Sequence, residues 1–195
     1  MLVGNPKEFA VESEITEVYP RLSQRALGFF VIHIKNRIYG VRKPDATLLA
    51  NSFDAVDRRI KQRGQHNLPS ARIISAKKIA EAFSTARHGD VTENERFLGM
   101  SLSQFEQVVY TRDIMWAPDG DEAFDDGSYI LQFDEGSEVR LIAFVNQSAL
   151  AETIATVSEQ WLDTNIYYEV LSNWKSAFEE EWRASVRKLH PSAQP

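Results

Sequence analysis

Nine carboxylates crowd one stretch of this chain: Asp113, Asp119, Asp121, Glu122, Asp125, Asp126, Asp134, Glu135 and Glu138. From Asp113 to Val139 there is no Lys or Arg at all. Paired carboxylates can shuttle protons or hold a divalent cation. A calcium loop fails on spacing. In Asp119-Gly120-Asp121-Glu122-Ala123-Phe124 the fifth ligand position is Ala123, and the turn position that needs glycine is Phe124. No base or electrophile accompanies the acids, which leaves a solvated loop or a partner-binding patch. Trp116 immediately precedes Ala117-Pro118-Asp119-Gly120. An aromatic ringed by charge suits an interface anchor, although it equally suits a lid over the core. The candidate partner-binding set is therefore Trp116, Asp119, Asp121, Glu122, Asp125, Asp126, Glu135 and Glu138, with no catalytic residue, metal ligand or cofactor assigned. The enzyme alternative is a metal-dependent hydrolase using Asp121, Asp125 and Asp126.

Other chemistry finds little footing. Dinucleotide, phosphate-loop, nucleophile-elbow and zinc-protease motifs are all missing. His33, His66, His88 and His190 are scattered without metal-ligand spacing, and the chain has no cysteine. The stretch from Lys35 to Arg87 carries twelve Lys/Arg against four Asp/Glu, so the molecule is electrically polarised. Arg58, Arg59, Lys61, Arg63, Lys77 and Lys78 read as the solvent faces of helices. A nucleic-acid-binding regulator using Arg58, Arg59, Lys61, Lys77 and Lys78 is the alternative function. Against it stand a sequence pI of about 5.3 and basic residues that are not interleaved with aromatics.

These residues need a scaffold. Phe9, Val11, Ser13 and Ile15 alternate with Ala10, Glu12, Glu14 and Thr16, the period of a half-buried strand. Ala26 to Lys35 and Ile38 to Val41 continue as a hairpin turning near Asn36, giving an antiparallel meander. Asp45 would cap a helix whose buried stripe is Leu49, Phe53, Val56 and Ile60, stopped by Gly64. Pro69 and Ser70 open the next stretch, and Ser75 caps a helix carrying Ile79, Ala80 and Phe83, ended near Gly89. Asn94 to Tyr110 reads as mixed, since Gly99 interrupts a helical pattern. Ser128–Asp134 and Val139–Val145 form a hairpin. Gln147 to Gln160 reads as helix, and Thr164 caps a longer one with Tyr167, Leu171, Trp174, Phe178, Trp182, Val186 and Leu189 on one face.

With 43% apolar residues and no Pro- or Gly-rich tract, 195 residues make a filled core. The expectation is one α+β domain over residues 1–190 with a frayed tail at 191–195. Its sheet is built from the early meander and the later hairpin, packed with several helices including a long C-terminal one. No segment approaches the roughly 18 apolar residues of a membrane span, and the start lacks a basic, then apolar, leader; the expected location is the cytoplasm.

Three stretches resemble the Immunity protein 42 family of bacterial polymorphic-toxin immunity proteins. The first is Val3-Gly4-Asn5-Pro6-Lys7-Glu8-Phe9-Ala10-Val11, similar to that family's Gly-Asp/Asn-Pro opening and the strand after it. The second is Phe124-Asp125-Asp126-Gly127-Ser128-Tyr129, running into Leu131-Gln132-Phe133-Asp134 and Val139 to Phe144. The third is the helix pattern from Tyr168-Glu169-Val170-Leu171 through Trp174 and Phe178 to Glu181-Trp182. The resemblance implies a stoichiometric protein inhibitor whose partner is a cognate toxin domain, and no enzyme. An acidic surface would suit a basic toxin such as a nuclease.

Overall fold

In the computed structural model residues 1–68, 71–92, 94–118 and 120–189 are described. Pro69, Ser70, Asp119 and the tail from His190 onward lie outside them, as do the readings made of those residues.

The first sheet is antiparallel throughout. Strands β1 (Leu2–Asn5), β2 (Phe9–Val18), β3 (Ala26–Ile34) and β4 (Arg37–Tyr39) follow one another in space, and β5 (Thr47–Leu48) pairs with the beginning of β3. Ile34 pairs with Arg37, leaving Lys35 and Asn36 as a two-residue turn, both at positive φ (52° and 63°). Two successive left-handed residues match the twist of a hairpin, and asparagine tolerates that conformation best after glycine. Strand β1 carries no alternation strong enough to read in four residues. It is held as an edge by β2, from Leu2 opposite Glu12 to Asn5 opposite Phe9.

The later hairpin forms a second sheet rather than joining the first. Its order is β6 (Met115–Ala117), β7 (Ser128–Glu135), β8 (Glu138–Val145) and β9 (Ser158–Asp163), again all antiparallel. Both faces of this sheet are covered. Ile130, Val139, Leu141 and Ala143 pack into one apolar cluster with the first sheet, while Tyr129, Leu131, Phe133, Ile142 and Phe144 pack into another. Burial on two sides is why β7 and β8 read as nearly unbroken apolar runs.

Among the described residues five α-helices supply the cover: α1 (Leu49–Lys61), α2 (Ala76–His88), α3 (Leu102–Thr111), α4 (Leu150–Ala155) and α5 (Thr164–Leu189). The second cluster is closed by Ile79 and Phe83 of α2 and Phe105 and Val109 of α3. Ser75 caps α2 by accepting the Lys78 N–H, and Ser101 with Gln104 forms a reciprocal capping box on α3. Helix α5 lies against strands of both sheets and against α1. Its indole Trp174 stacks on Phe178 (5.3 Å between centroids), meets Phe30 edge-on at 5.0 Å and donates to Ser13 Oγ at 3.0 Å. Those contacts satisfy both the apolar body and the polar edge of the ring.

Four expectations are corrected. Asp45 does not cap α1: residue 48 holds that position without a side-chain bond, because Thr47–Leu48 pairs with β3 before the helix begins. Thr164 is already helical, and the cap is Asp163, whose carboxylate accepts the N–H groups of Asn165 (2.8 Å) and Ile166 (3.2 Å). Within Gln147 to Gln160 only Leu150–Ala155 is α-helical; Ser158 onward completes the second sheet, where pairing to β8 overrides a weak helical pattern. The apolar face of α5 ends at partly buried Val186, since Leu189 is exposed.

Candidate functional site

Strand β7 divides the acidic stretch in two. Asp121, Glu122, Asp125 and Asp126 lie ahead of its first residue, Ser128, while Glu135 and Glu138 flank the tight turn beyond its far end. Eight extended residues separate these groups by about 23 Å, so they are not one patch. The second group is also partly neutralised: Arg72 donates to the Glu138 carboxylate (3.0 Å) and to the Glu135 carbonyl (3.2 Å). Burial raises the Glu135 carboxyl above its usual range, opposed by Arg72 and Arg140. Asp113 leaves the acidic set altogether, bonded by Arg58 at 3.0 Å and approached by Arg59 at 3.7 Å. Asp113 and Glu138 have thus found cations from the basic middle of the chain.

An acidic corner remains. Asp121 Oδ1 accepts the Ala123 N–H (2.9 Å) and starts the short 3-10 turn Glu122–Phe124. Asp126 accepts the N–H of Ser128 (3.0 Å) and that of Gly40 (3.2 Å), tying this corner to the end of β4. Gly40 is held at φ +107°, with the Ala123 carbonyl 2.8 Å from where a Cβ would sit. Glu122 and Asp125 are exposed, and among the described residues neither forms an ion pair. Asp121 and Asp126 are therefore partly structural, and Glu122 and Asp125 carry the free charge. Among the described residues no three His, Asp or Glu side chains converge to hold a metal ion.

Trp116 is a core residue. It is 5% exposed, with the rings of Phe9 and Tyr167 at 6.0 and 6.1 Å and the Arg59 guanidinium 5.4 Å from its own ring. As an anchor beside the acidic corner it is unsuited, because β6 turns its side chain inward toward β2 and α5.

Arg59, expected on the solvent face of α1, is fully buried. Its Nη1 donates to the Asp113 carbonyl (2.9 Å) and to Gln132 Oε1 (3.2 Å). Gln132 Oε1 also accepts from Tyr167 Oη (2.6 Å), and its Nε2 donates to Tyr168 Oη (2.9 Å) and Asp134 (3.1 Å). Asp134 in turn accepts from Tyr168 Oη (3.1 Å) and from the backbone N–H of Gly64 (2.7 Å) and His66 (3.3 Å). The His66 Nδ1 lies 3.0 Å from the Arg112 carbonyl and 3.1 Å from that of Asp113, so it carries the ring proton. Burial lowers the His66 imidazole, with the Arg59 charge acting in the same direction. Burial likewise pushes both Tyr167 and Tyr168 upward, so both phenols stay protonated donors. This network joins α1, the loop after it, the turn before β6, β7 and α5. A signal for it existed: Arg59 follows Val56 by three residues on the Leu49–Phe53–Val56 stripe, and Gln132 interrupts an apolar strand.

The basic middle is largely engaged inside the molecule. Lys61 pairs with Asp57 (2.6 Å), Arg63 donates to Asn165 (2.7 Å) and Arg72 holds the β7–β8 turn. Lys77 and Lys78 are exposed on α2. His33 meets Glu12 at 2.8 Å, and His88 meets Tyr129 Oη at 2.9 Å.

The chain is an α+β protein of two antiparallel sheets and packed helices, with an exposed acidic corner at Glu122 and Asp125. Residues 1–177 match the model of the family described as Immunity protein 42, and the chain belongs to that family. Its structure is similar to the crystal structure of CdiI from Burkholderia dolosa AUO158, with a TM-score of 0.56 and 16% identity, covering 91% of this chain and 99% of that one. At that identity the likeness is one of fold. No curated protein matches the chain by sequence. No helix among the described residues is long and apolar enough to cross a membrane.

Proposed function

We propose that this chain is a stoichiometric inhibitor that binds a cognate bacterial toxin domain and neutralises it in the cytoplasm of the producing cell, without catalysis. The observation that carries the reading is the family match over residues 1–177, and the likeness to a CdiI fold is in keeping with it. The toxin meets the acidic corner through Glu122 and Asp125, with Asp121 and Asp126 shaping the turn that displays them. Exposed carboxylates with no internal cation repel one another in the free protein, and a basic partner relieves that repulsion. Glu135 and Glu138 fall outside this face because of their distance and their bonds to Arg72. The nucleic-acid alternative loses support from the same ion pairs, since Arg58, Arg59 and Lys61 already have partners.

Co-expression with the toxin domain encoded beside this chain tests the proposal. Restored growth and a co-purifying one-to-one complex are expected. Continued killing together with no complex would refute it.

A further inference from the structure

An exposed aromatic lies near the other end of β6. Tyr110, in the last turn of α3, is 86% exposed, more than any other large apolar side chain among the described residues. It stands as a ridge between two grooves. One, of about 230 Å³, is lined by Phe83, Ala86, Phe105 and Met115 with Arg87 at its rim. The other, of about 530 Å³, is more polar and is lined by Arg58, Gln62, Thr111 and Asp113. A phenol so exposed adds little to the fold, while tyrosine beside an apolar cleft is a favoured contact in protein recognition.

Position ties this ridge to the acidic corner. The Ile114 N–H donates to the Val109 carbonyl (3.0 Å) and the Ile114 carbonyl accepts the Gln132 N–H (2.9 Å), so the end of α3 is pinned to the start of β6. Strand β6 then runs along the edge of its sheet, Met115 opposite Leu131 and Ala117 opposite Ile130, toward the corner ahead of Ser128. Gln132 and Ser128 are four residues apart, roughly 13 Å along the strand. Phe124 of the corner packs on the first-sheet side of this sheet and Phe105 of α3 on the other, so the two features flank the β6 edge. A standard interface covers about 800 Å² per partner, a patch about 30 Å across, and one footprint straddling that edge takes in both.

We infer that Tyr110 and the Glu122–Asp125 corner are the two ends of a single contact face along β6, occupied by the toxin domain of the reading above, on which this inference rests. The charge of the corner sets the chemistry of the occupant. It presents basic side chains to Glu122 and Asp125 and seats an apolar side chain beside Tyr110, in the groove formed by Phe83, Phe105 and Met115.

The test measures binding of the purified toxin domain to the full-length chain and to Tyr110→Ala, Tyr110→Phe and Ile73→Ala. Ile73 is 84% exposed on the turn after α1 and serves as the control. Tyr110→Ala is expected to weaken binding by about 30-fold or more, chiefly through faster dissociation, as loss of a dominant interface residue does. Tyr110→Phe should keep most of the affinity, Ile73→Ala all of it, and no variant should change the melting temperature. Affinity of Tyr110→Ala within twofold of wild type, with wild type bound, overturns the inference and leaves the inhibitor reading standing. Failure of the wild-type chain to bind overturns both.

Discussion

Arg59 on α1 and Gln132 on β7 are joined by a 3.2 Å hydrogen bond inside the protein, which ties this helix to the second sheet across 73 residues of chain. This guanidinium has no solvent exposure; its Nη1 is held by a carbonyl and an amide oxygen, and the Asp113 carboxylate 3.7 Å from Nη2 offsets the buried charge, while Nε and Nη2 have no hydrogen-bond partner. Arg59→Ala would take one of two donors from the Asp113 carbonyl and from Gln132 Oε1, which keep His66 and Tyr167, and would open a void beside Trp116. A loss of about 3 kcal/mol is expected, read from the midpoint of urea unfolding at unchanged slope. A midpoint within error of wild type would show that the network tolerates losing its cation.

Trp116 separates a packing role from a binding role. Trp116→Ala should destabilise the chain by about 3–5 kcal/mol, since a large buried ring is removed from contact with Phe9 and Tyr167. Trp116→Phe should fold and bind the toxin domain with affinity close to wild type. Strong loss of affinity in that folded variant would restore Trp116 as a contact residue.

The lowered His66 imidazole makes a pH prediction. The unfolded chain takes up a proton near pH ~6.5, whereas the folded chain resists it until lower pH. Stability from this group is therefore complete above about pH 6.5 and declines as pH falls from there toward the lowered folded value. His66→Asn keeps a donor for the Arg112 and Asp113 carbonyls and has no proton to gain. Melting temperatures measured from pH 7.5 to 5 should fall less steeply in that variant; parallel curves would count against the assignment.

Glu122→Lys combined with Asp125→Lys probes the corner without touching the caps made by Asp121 and Asp126. Association with the toxin domain should slow several-fold, and its dependence on ionic strength should shrink. Folding stability should change by no more than about 0.5 kcal/mol, as expected of exposed charges. Stopped-flow rates at two salt concentrations decide it, and an unchanged on-rate moves the face away from this corner.

Long, strongly patterned elements were legible in the sequence. The β7–β8 hairpin, the β3–β4 turn at Asn36 and the stripe from Tyr167 to Trp182 each rest on local spacing, which survives folding unchanged. Strands β1, β5 and β9 were not legible, because each is short and lacks an alternation of its own, and takes its conformation from pairing with β2, β3 and β8. The candidate site was half legible for a related reason. Sequence proximity placed Trp116, Glu122, Asp125 and Glu138 together, yet period-2 geometry turns Trp116 inward and an extended strand carries Glu138 to the opposite end. Cations such as Arg58 and Arg72 reach the acids only through the tertiary fold.

The placement of α5 has a kinetic side. Trp174 donates to Ser13, 161 residues earlier, and the same helix covers Phe9, Phe30 and Phe53. Closing so long a loop comes late and slowly, and a nascent chain lacking this helix leaves those rings open to water. Partly synthesised copies would be prey for proteases and chaperones, so each ribosome delivers a competent molecule only after α5 has emerged. The pool of working protein then lags translation by the time needed to finish and dock that one helix.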